Sequence, residues 1–237
     1  MPFQRAIVIG SSGGIGTALV SSLVKQGSDV TALSRAGLSN GVPARTGPID
    51  IQSEESIERA ASAAAPHGPY DLIIVATGIL HGDQLAPEKS YRQLSAEVFQ
   101  LYFAVNATGP ALVAKHFLPL LARECPAVFA VLSARVGSIS DNRLGGWYGY
   151  RASKAALNMI VKTLAIELAR TRPEALCVAL HPGTVDTALS APFQRGVPPH
   201  RLSDATTSAD RLLAVLAGLD SSASGACFAW DGSVIDP

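Results

Sequence analysis

The strongest constraint on this chain is a short apolar run, Ala6-Ile7-Val8-Ile9, that opens directly into the glycine-rich stretch GSSGGIG. Residues 6–10 read as a buried strand. Residues from about Gly14 to Gln26 read as a helix that ends at Gly27. Gly10, Gly14 and Gly16 have a G-x-x-x-G-x-G spacing, with Ser12 and Ile15 inside the turn. A turn this tight needs residues without Cβ, and it brings backbone N–H groups to a helix N-terminus, where a pyrophosphate is favoured. The same glycines also suit a tight turn with no ligand. The strand–turn–helix context is what favours the dinucleotide reading.

The rest of the chain repeats the alternation. Strands are expected at 29–33, 71–78, 127–133 and 175–183 and in the closing run ACFAW. Helices are expected after the N-cap Ser53, over 91–123, around Tyr150 and Lys154 (148–170), and near 206–218. Strands alternating with helices imply crossover connections, hence an α/β Rossmann-type doubly wound parallel sheet of about seven strands with helices on both faces. No repeat or linker divides the 237 residues. The reading is one domain, with a cofactor half over about 1–125 and a catalytic and substrate half over about 126–237. The only long irregular stretch is 187–205, with an exposed-looking Phe193, and its place after a strand end suggests a lid.

The composition excludes several classes. Formal net charge is zero, with 16% charged residues, which argues against nucleic acid or an anionic membrane as partner. No apolar run is long enough to span a membrane, and the N-terminal run is short for a signal peptide, so a cytoplasmic location is expected. Cys125, Cys177 and Cys227 are isolated, and His67, His81, His116, His181 and His200 lack ligand spacing, so no metal site is expected. The end of the second strand carries Ser34 and Arg35 and no acid. A carboxylate there would repel a 2′-phosphate, whereas an arginine pairs with one, so NADP is expected in preference to NAD.

The stretch GWYGYRASKAAL holds two tyrosines just before a lysine. Side chains four apart share a helix face, which selects Tyr150 with Lys154 over Tyr148. An amphipathic helix with a wetted edge is the plain alternative.

With the glycine turn, VATG, VNATG, YRASK and HPGTVDT in this order, the chain resembles the short-chain dehydrogenase/reductase family over essentially its whole length, and its C-factor-like, sniffer-like carbonyl reductase branch in particular. The resemblance implies that Gly10, Gly14 and Gly16 form the cofactor turn and that Asp50 contacts the adenine end. It sets Gly78 beside the adenosine ribose, with Ala76 where the family usually has asparagine. It implies that Asn106 bends its helix and holds a water of a proton relay. Pro182, Gly183, Val185 and Thr187 would flank the nicotinamide. Tyr150 would be the acid/base, Lys154 its partner and Tyr148 a pocket wall. The family's substrate-orienting serine falls on Ala134 here. Its neighbour Ser133 is the expected substitute and Ser138 the other candidate, although alternation along the strand points residue 133 away from residue 134. The resemblance further implies a homodimer or homotetramer built on helices 91–123 and 148–170.

A tyrosine ionises near pH 10, and a nearby ammonium lowers that value. The expected chemistry is hydride transfer between the nicotinamide and a small carbonyl or alcohol, with Tyr150 exchanging the proton. Leu80, Arg135, Tyr148, Leu189 and Phe193 would line the substrate pocket. The competing reading is a non-enzymatic dinucleotide-binding sensor or signalling protein, supported by Ala134 and by the C-factor likeness.

Overall fold

The computed structural model describes residues 3–37, 41–82, 85–123, 125–198 and 201–237. The strands in chain order are β1 (Arg5–Ile9), β2 (Asp29–Ser34), β3 (Arg45–Pro48), β4 (Leu72–Val75), β5 (Ala127–Leu132), β6 (Ala175–His181), β7 (Thr184–Val185), β8 (Leu202–Ser203), β9 (Cys227–Ala229) and β10 (Val234–Ile235). The helices are α1 (Gly14–Lys25), α2 (Glu54–Ala64), α3 (Ala96–Phe103), α4 (Gly109–Phe117), α5 (Tyr148–Thr171) and α6 (Ala205–Gly218). Eight strands form one sheet in the order β10-β9-β6-β5-β4-β1-β2-β3, parallel throughout except for β10. The expected doubly wound sheet is present, with one antiparallel edge strand beyond the seven parallel ones.

Strands buried on both faces need apolar residues along their length, which is how β4, β5 and β1 after its exposed first residue, Arg5, read. Alternate residues feed two cores. Ile7, Ile9, Ile73, Val75, Phe129 and Val131 meet α2, α4 and α5 on one face. Ala6, Val8, Leu72, Ile74, Val128 and Ala130 meet α1 and α6 on the other. Register pairs Ile9 with Leu33 and with Val75, so β1, β2 and β4 end together, and the loops that follow share one rim.

Four expectations need correction. Strand β3 was not anticipated because its sequence, RTGP, is polar, exposed and carries Gly47 and Pro48. Such a strand is tolerated only at a sheet edge, where it lies beside β2. The single helix expected over 91–123 is broken into a short 3₁₀ turn, α3, a π turn over Ala104–Thr108, α4 and a second 3₁₀ turn. Pro110 has no N–H for the Asn106 carbonyl, and an α-helical ring there would clash, so the chain widens by one residue. The stretch 187–205 is also less irregular than its composition suggests. Ala191–Phe193 forms a 3₁₀ turn, and β8 pairs with β7 to anchor the far end. Pro199 and His200 lie outside the described residues. Strands 71–78 and 175–183 are shorter than expected, ending at Val75 and His181, which frees residues 76–80 and 182–183 to line the rim.

Phe117, fully buried between α4 and the sheet, tests the first core. Phe117→Ala is expected to cost about 3–5 kcal/mol, read as a lowered urea midpoint at unchanged slope.

Candidate active site

At the carboxyl ends of β1, β4, β5 and β6 a cavity of about 470 Å³ runs from the glycine turn to the 187–198 segment. Ligands of open α/β sheets bind at this rim.

The glycine end is built by close approach. Gly10 takes φ +89°, and its N–H donates to the Leu33 carbonyl. A Cβ on Gly16 would lie 2.1 Å from the Gly10 carbonyl oxygen, and one on Gly14 would lie 2.6 Å from Thr187 Cγ2. The first turn of α1 thus abuts β1 on one side and Thr187 on the other. Gly13, Gly14 and Ile15 line the cavity, while Ser12 is exposed on the turn. Three buried hydroxyls around this rim, on Ser11, Ser34 and Thr77, have no partner among the described residues. Buried polar groups are ordinarily paired. Orphan hydroxyls beside a cradle that only glycine permits fit a dinucleotide.

At the adenosine side, Ser34 closes β2 in a buried position and Arg35 is exposed on the turn that follows. The Asp50 carboxylate accepts from the Gln52 N–H, and its own N–H donates to Ser56, so it stiffens the entry to α2. Gly78 is exposed, and a Cβ there would lie 3.5 Å from Asn106 Oδ1 and 3.6 Å from Lys154 Nζ. Ala76 lines the cavity.

Asn106 is fully buried in the π turn. Its Oδ1 accepts from the Ile79 N–H, and its Nδ2 donates to the Ile79 carbonyl and to Ser153 Oγ at 2.9, 3.0 and 3.2 Å respectively. The residue therefore ties the segment after β4 to α5.

Tyr150 and Lys154 are both buried and line the cavity together. Lys154 Nζ lies 5.9 Å from the Tyr150 ring centre and donates to the Leu132 carbonyl at 2.8 Å. Burial pulls the Lys154 ammonium down to about 8 and pushes the Tyr150 phenol up to about 12. The expected lowering of the tyrosine by its lysine is thus outweighed by desolvation. Tyr150 holds its proton firmly. Lys154 stays mainly protonated at neutral pH.

Ser133 is buried, and its hydroxyl donates to Asn158 Oδ1 on α5 at 2.7 Å, so its proton is committed away from a substrate carbonyl. Ser138 is buried, bonded to Ser140 and to the Asp141 N–H, and is not among the lining residues. Ala134 faces the Tyr150 cluster. Alternation along the strand, visible in the sequence, decides this outcome.

Tyr148 is 37% exposed at the start of α5 and does not line the cavity. The wall expected of it is supplied by Trp147, whose ring lies edge-on to Tyr150 at 6.2 Å and to Phe193 at 5.0 Å. Phe193 is not a free lid residue. It also meets the His81 ring at 5.7 Å, and His81 Nε2 lies 3.0 Å from the Ala188 carbonyl. Leu80, Val136, Leu189 and Val197 add apolar surface, while Arg135 stands half-exposed at the edge, paired with Asp141. Trp147 was missed because it precedes the helix whose spacing carried the argument. The pair of glycines before it, both at positive φ, was the available signal.

Pro182, Gly183, Val185 and Thr187 line the cavity. Gly183 takes φ +79°, with Trp230 packed where a Cβ would fall. Thr187 and Ser190 hydroxyls both donate to the Val185 carbonyl. Before them stands His181, whose Nδ1 is buried and unpartnered. Among the described residues no cluster of side chains could hold a metal, and no helix is long and apolar enough to cross a membrane.

The family model of the short chain dehydrogenases matches residues 4–197. Among curated relatives, the 1-hydroxy-2-glutathionyl-2-methyl-3-butene dehydrogenase of Rhodococcus sp. (strain AD45) is 30% identical over 195 residues, 80% of this chain and 81% of that protein. The C-signal protein of Myxococcus xanthus is 33% identical over 178 residues, 75% of this chain and 98% of that one. Among solved structures, the NADPH-bound carbonyl reductase from chicken fatty liver superposes with a TM-score of 0.87 at 25% identity, covering all of both chains.

Burial and the nearby Arg135 guanidinium pull His181 down to about 4, with Asp231 opposing. The unfolded chain protonates this ring near its ordinary value of 6.5, so the neutral, buried form stabilises the fold above that pH. Stability is then lost as pH falls from 6.5 towards 4, by an amount on the order of 2–3 kcal/mol. Urea unfolding of His181→Asn is expected to show a shallower loss over this window than the wild type. Equal slopes would refute the assignment.

Proposed function

From the premise that the chain belongs to the short-chain dehydrogenase family, we propose that it is an NADP-dependent reductase of medium-sized, largely apolar carbonyl compounds. The observation that carries the reading is the burial of Tyr150 and Lys154 one helical turn apart, in one cavity with the glycine turn and the 182–187 segment. The dinucleotide, when bound, supplies the hydride.

The chain's own residues do the rest. Gly10, Gly14 and Gly16 let backbone N–H groups approach the pyrophosphate at the positive end of α1. Ser34 offers its unpartnered hydroxyl and Arg35 its exposed guanidinium to a 2′-phosphate. Lys154 orients the nicotinamide ribose, Asn106 holds the 76–80 segment in register, and Pro182 to Thr187 flank the ring. Tyr150, kept protonated by its burial, gives its proton to the alkoxide that forms at the substrate carbon. This protonation state suits reduction at neutral pH. With Ser133 turned to Asn158, Tyr150 alone polarises the carbonyl, while Trp147, Phe193, Leu80 and Val136 enclose the apolar remainder and exclude water. The chicken enzyme's NADPH supports the cofactor choice.

The sensor reading keeps one specific support, the replacement of the orienting serine by Ala134, alongside the likeness to C-signal. Both readings predict NADPH binding, and only one predicts turnover. NADPH oxidation against a panel of aldehydes, ketones and diketones separates them. Tyr150→Phe is expected to lower turnover by about 10²–10⁴-fold at unchanged NADPH affinity, and Tyr148→Phe, outside the cavity, to change it little. A wild type that binds NADPH yet reduces nothing in the panel would favour the sensor. Arg35→Asp is expected to weaken NADPH binding by about tenfold or more and leave NADH nearly unchanged, measured by nucleotide fluorescence titration. Parallel losses for both nucleotides would overturn the NADP assignment.

A further inference from the structure

Helix α5 carries both Tyr150 and Lys154, yet its N-terminus has no local cap. The N-cap position is Trp147, at φ 52° and ψ 43°, and its side chain makes no capping hydrogen bond. A left-handed backbone on a bulky aromatic residue is strained and persists only where its surroundings over-determine it. Those surroundings are supplied by a residue about sixty positions earlier in the chain. The Trp147 N–H donates to the Glu88 carbonyl at 2.5 Å. The Gly149 N–H donates to both Glu88 carboxylate oxygens, at 3.3 and 3.2 Å. Glu88 is 3% exposed.

The fit around it is close. A Cβ on Gly149 would fall 2.5 Å from Tyr102 Cδ2 and 2.9 Å from Glu88 Oε1, so only glycine lets the helix approach. Tyr102 is pinned in turn, its hydroxyl donating to the Leu80 carbonyl at 2.7 Å and its ring lying edge-on to Tyr150 at 6.0 Å. Glu88 thus stands beside Gly149, next to the Tyr102 ring that packs edge-on to Tyr150.

Stability alone does not account for such a residue. Among the described residues the buried carboxylate is served by the Gly149 N–H alone, and burying a charge on one such bond is costly. The compensating interaction is with the positive N-terminal end of a 24-residue helix.

We propose that Glu88 is a positioning residue for the reaction. Through its carboxylate and its carbonyl it clamps the first turn of α5 and holds Trp147 left-handed, and so sets the Tyr150 hydroxyl and the Trp147 wall against the substrate. The proposal rests on Tyr150 being the acid/base. An error of about 1 Å in such a group costs about 10²-fold in rate.

Two variants test it. Glu88→Met keeps the length and volume and removes the side-chain acceptor. Glu88→Gln keeps an oxygen that accepts the Gly149 N–H. Hydrogen exchange by mass spectrometry, with no cofactor or substrate, is expected to show faster exchange over residues 146–152 in Glu88→Met, with 157–170 unchanged and Glu88→Gln near wild type. In NADPH oxidation with benzil as the carbonyl probe, Glu88→Met is expected to lose about 10²-fold in kcat with KM for NADPH unchanged, and Glu88→Gln to recover to within about tenfold of wild type. Unchanged exchange in Glu88→Met would overturn the clamp. Faster exchange with wild-type kcat would overturn the positioning role. If Tyr150→Phe retains turnover, the acid/base assignment falls and with it the catalytic part of the proposal, while the exchange experiment still decides the clamp.

Discussion

A carbon atom added at Gly16 would lie 2.1 Å from the Gly10 carbonyl, and most of the architecture depends on the approach this forbids to any other residue. It docks the first turn of α1 against the end of β1, which fixes how α1 crosses the sheet and how Ala18, Leu19 and Leu23 enter the core on that face. The same approach leaves the N-terminal N–H groups of α1 at the rim and puts Gly14 against Thr187 on a loop far away in sequence. One steric condition therefore serves two ends. It packs a helix, and it closes a cradle between the first strand and the loop after the sixth.

The proposed chemistry depends on a second condition, the removal of Tyr150 and Lys154 from water. Burial alone moves the two groups in opposite directions, the phenol up to about 12 and the ammonium down to about 8. Each shift favours the neutral form, so at neutral pH the tyrosine is a held proton and the lysine a poorly solvated charge. The Leu132 carbonyl offsets part of the lysine's loss. Linkage gives the signs. The unfolded chain binds more protons than the folded one between about pH 8 and 10.5 through Lys154, so that group's destabilising effect fades as pH rises through that window. Above pH 10 Tyr150 acts oppositely, because the folded state then holds the extra proton. At neutral pH only the lysine bears a cost from its burial, since the tyrosine is neutral in the folded and the unfolded chain alike.

What was legible in the sequence follows from what kind of physics encodes it. The parallel sheet was readable because strands buried on both faces must be apolar, as β4, β5 and β1 after Arg5 are. The pairing of Tyr150 with Lys154 was readable because helical spacing is local. Strand β3 was not, because an edge strand made of Arg45, Thr46, Gly47 and Pro48 carries no apolar signal and exists only beside β2. The π turn at Asn106 needed Pro110 to be read against a helix rather than as a helix residue. Trp147 in place of Tyr148 was invisible for a sharper reason: which ring faces the cavity is set by the left-handed turn at residue 147, and that turn is held by Glu88 from a distant loop. Nothing in the tetrapeptide around Glu88 distinguishes it from a solvated surface acid.

The exchange of a serine for Ala134 can be followed through the same geometry. In a site with a hydroxyl at that position, two donors share the substrate oxygen and its placement is fixed by both. Here the neighbouring hydroxyl of Ser133 serves Asn158, and the cavity beside Tyr150 is apolar instead, with Ala134, Val136, Trp147 and Phe193 around it. Orientation then has to come from the shape of the apolar wall and from Tyr150. A substrate with little apolar surface finds no second contact to hold its carbonyl towards the phenol. One that fills the space between Trp147 and Phe193 is oriented by packing rather than by hydrogen bonding. Discrimination by packing is coarse, worth about 1–3 kcal/mol for a missing or added methylene. On the proposed reading, such a site suits a class of bulky carbonyl compounds more than a single one, and its selectivity would rest on how firmly the first turn of α5 and the Phe193 segment are held.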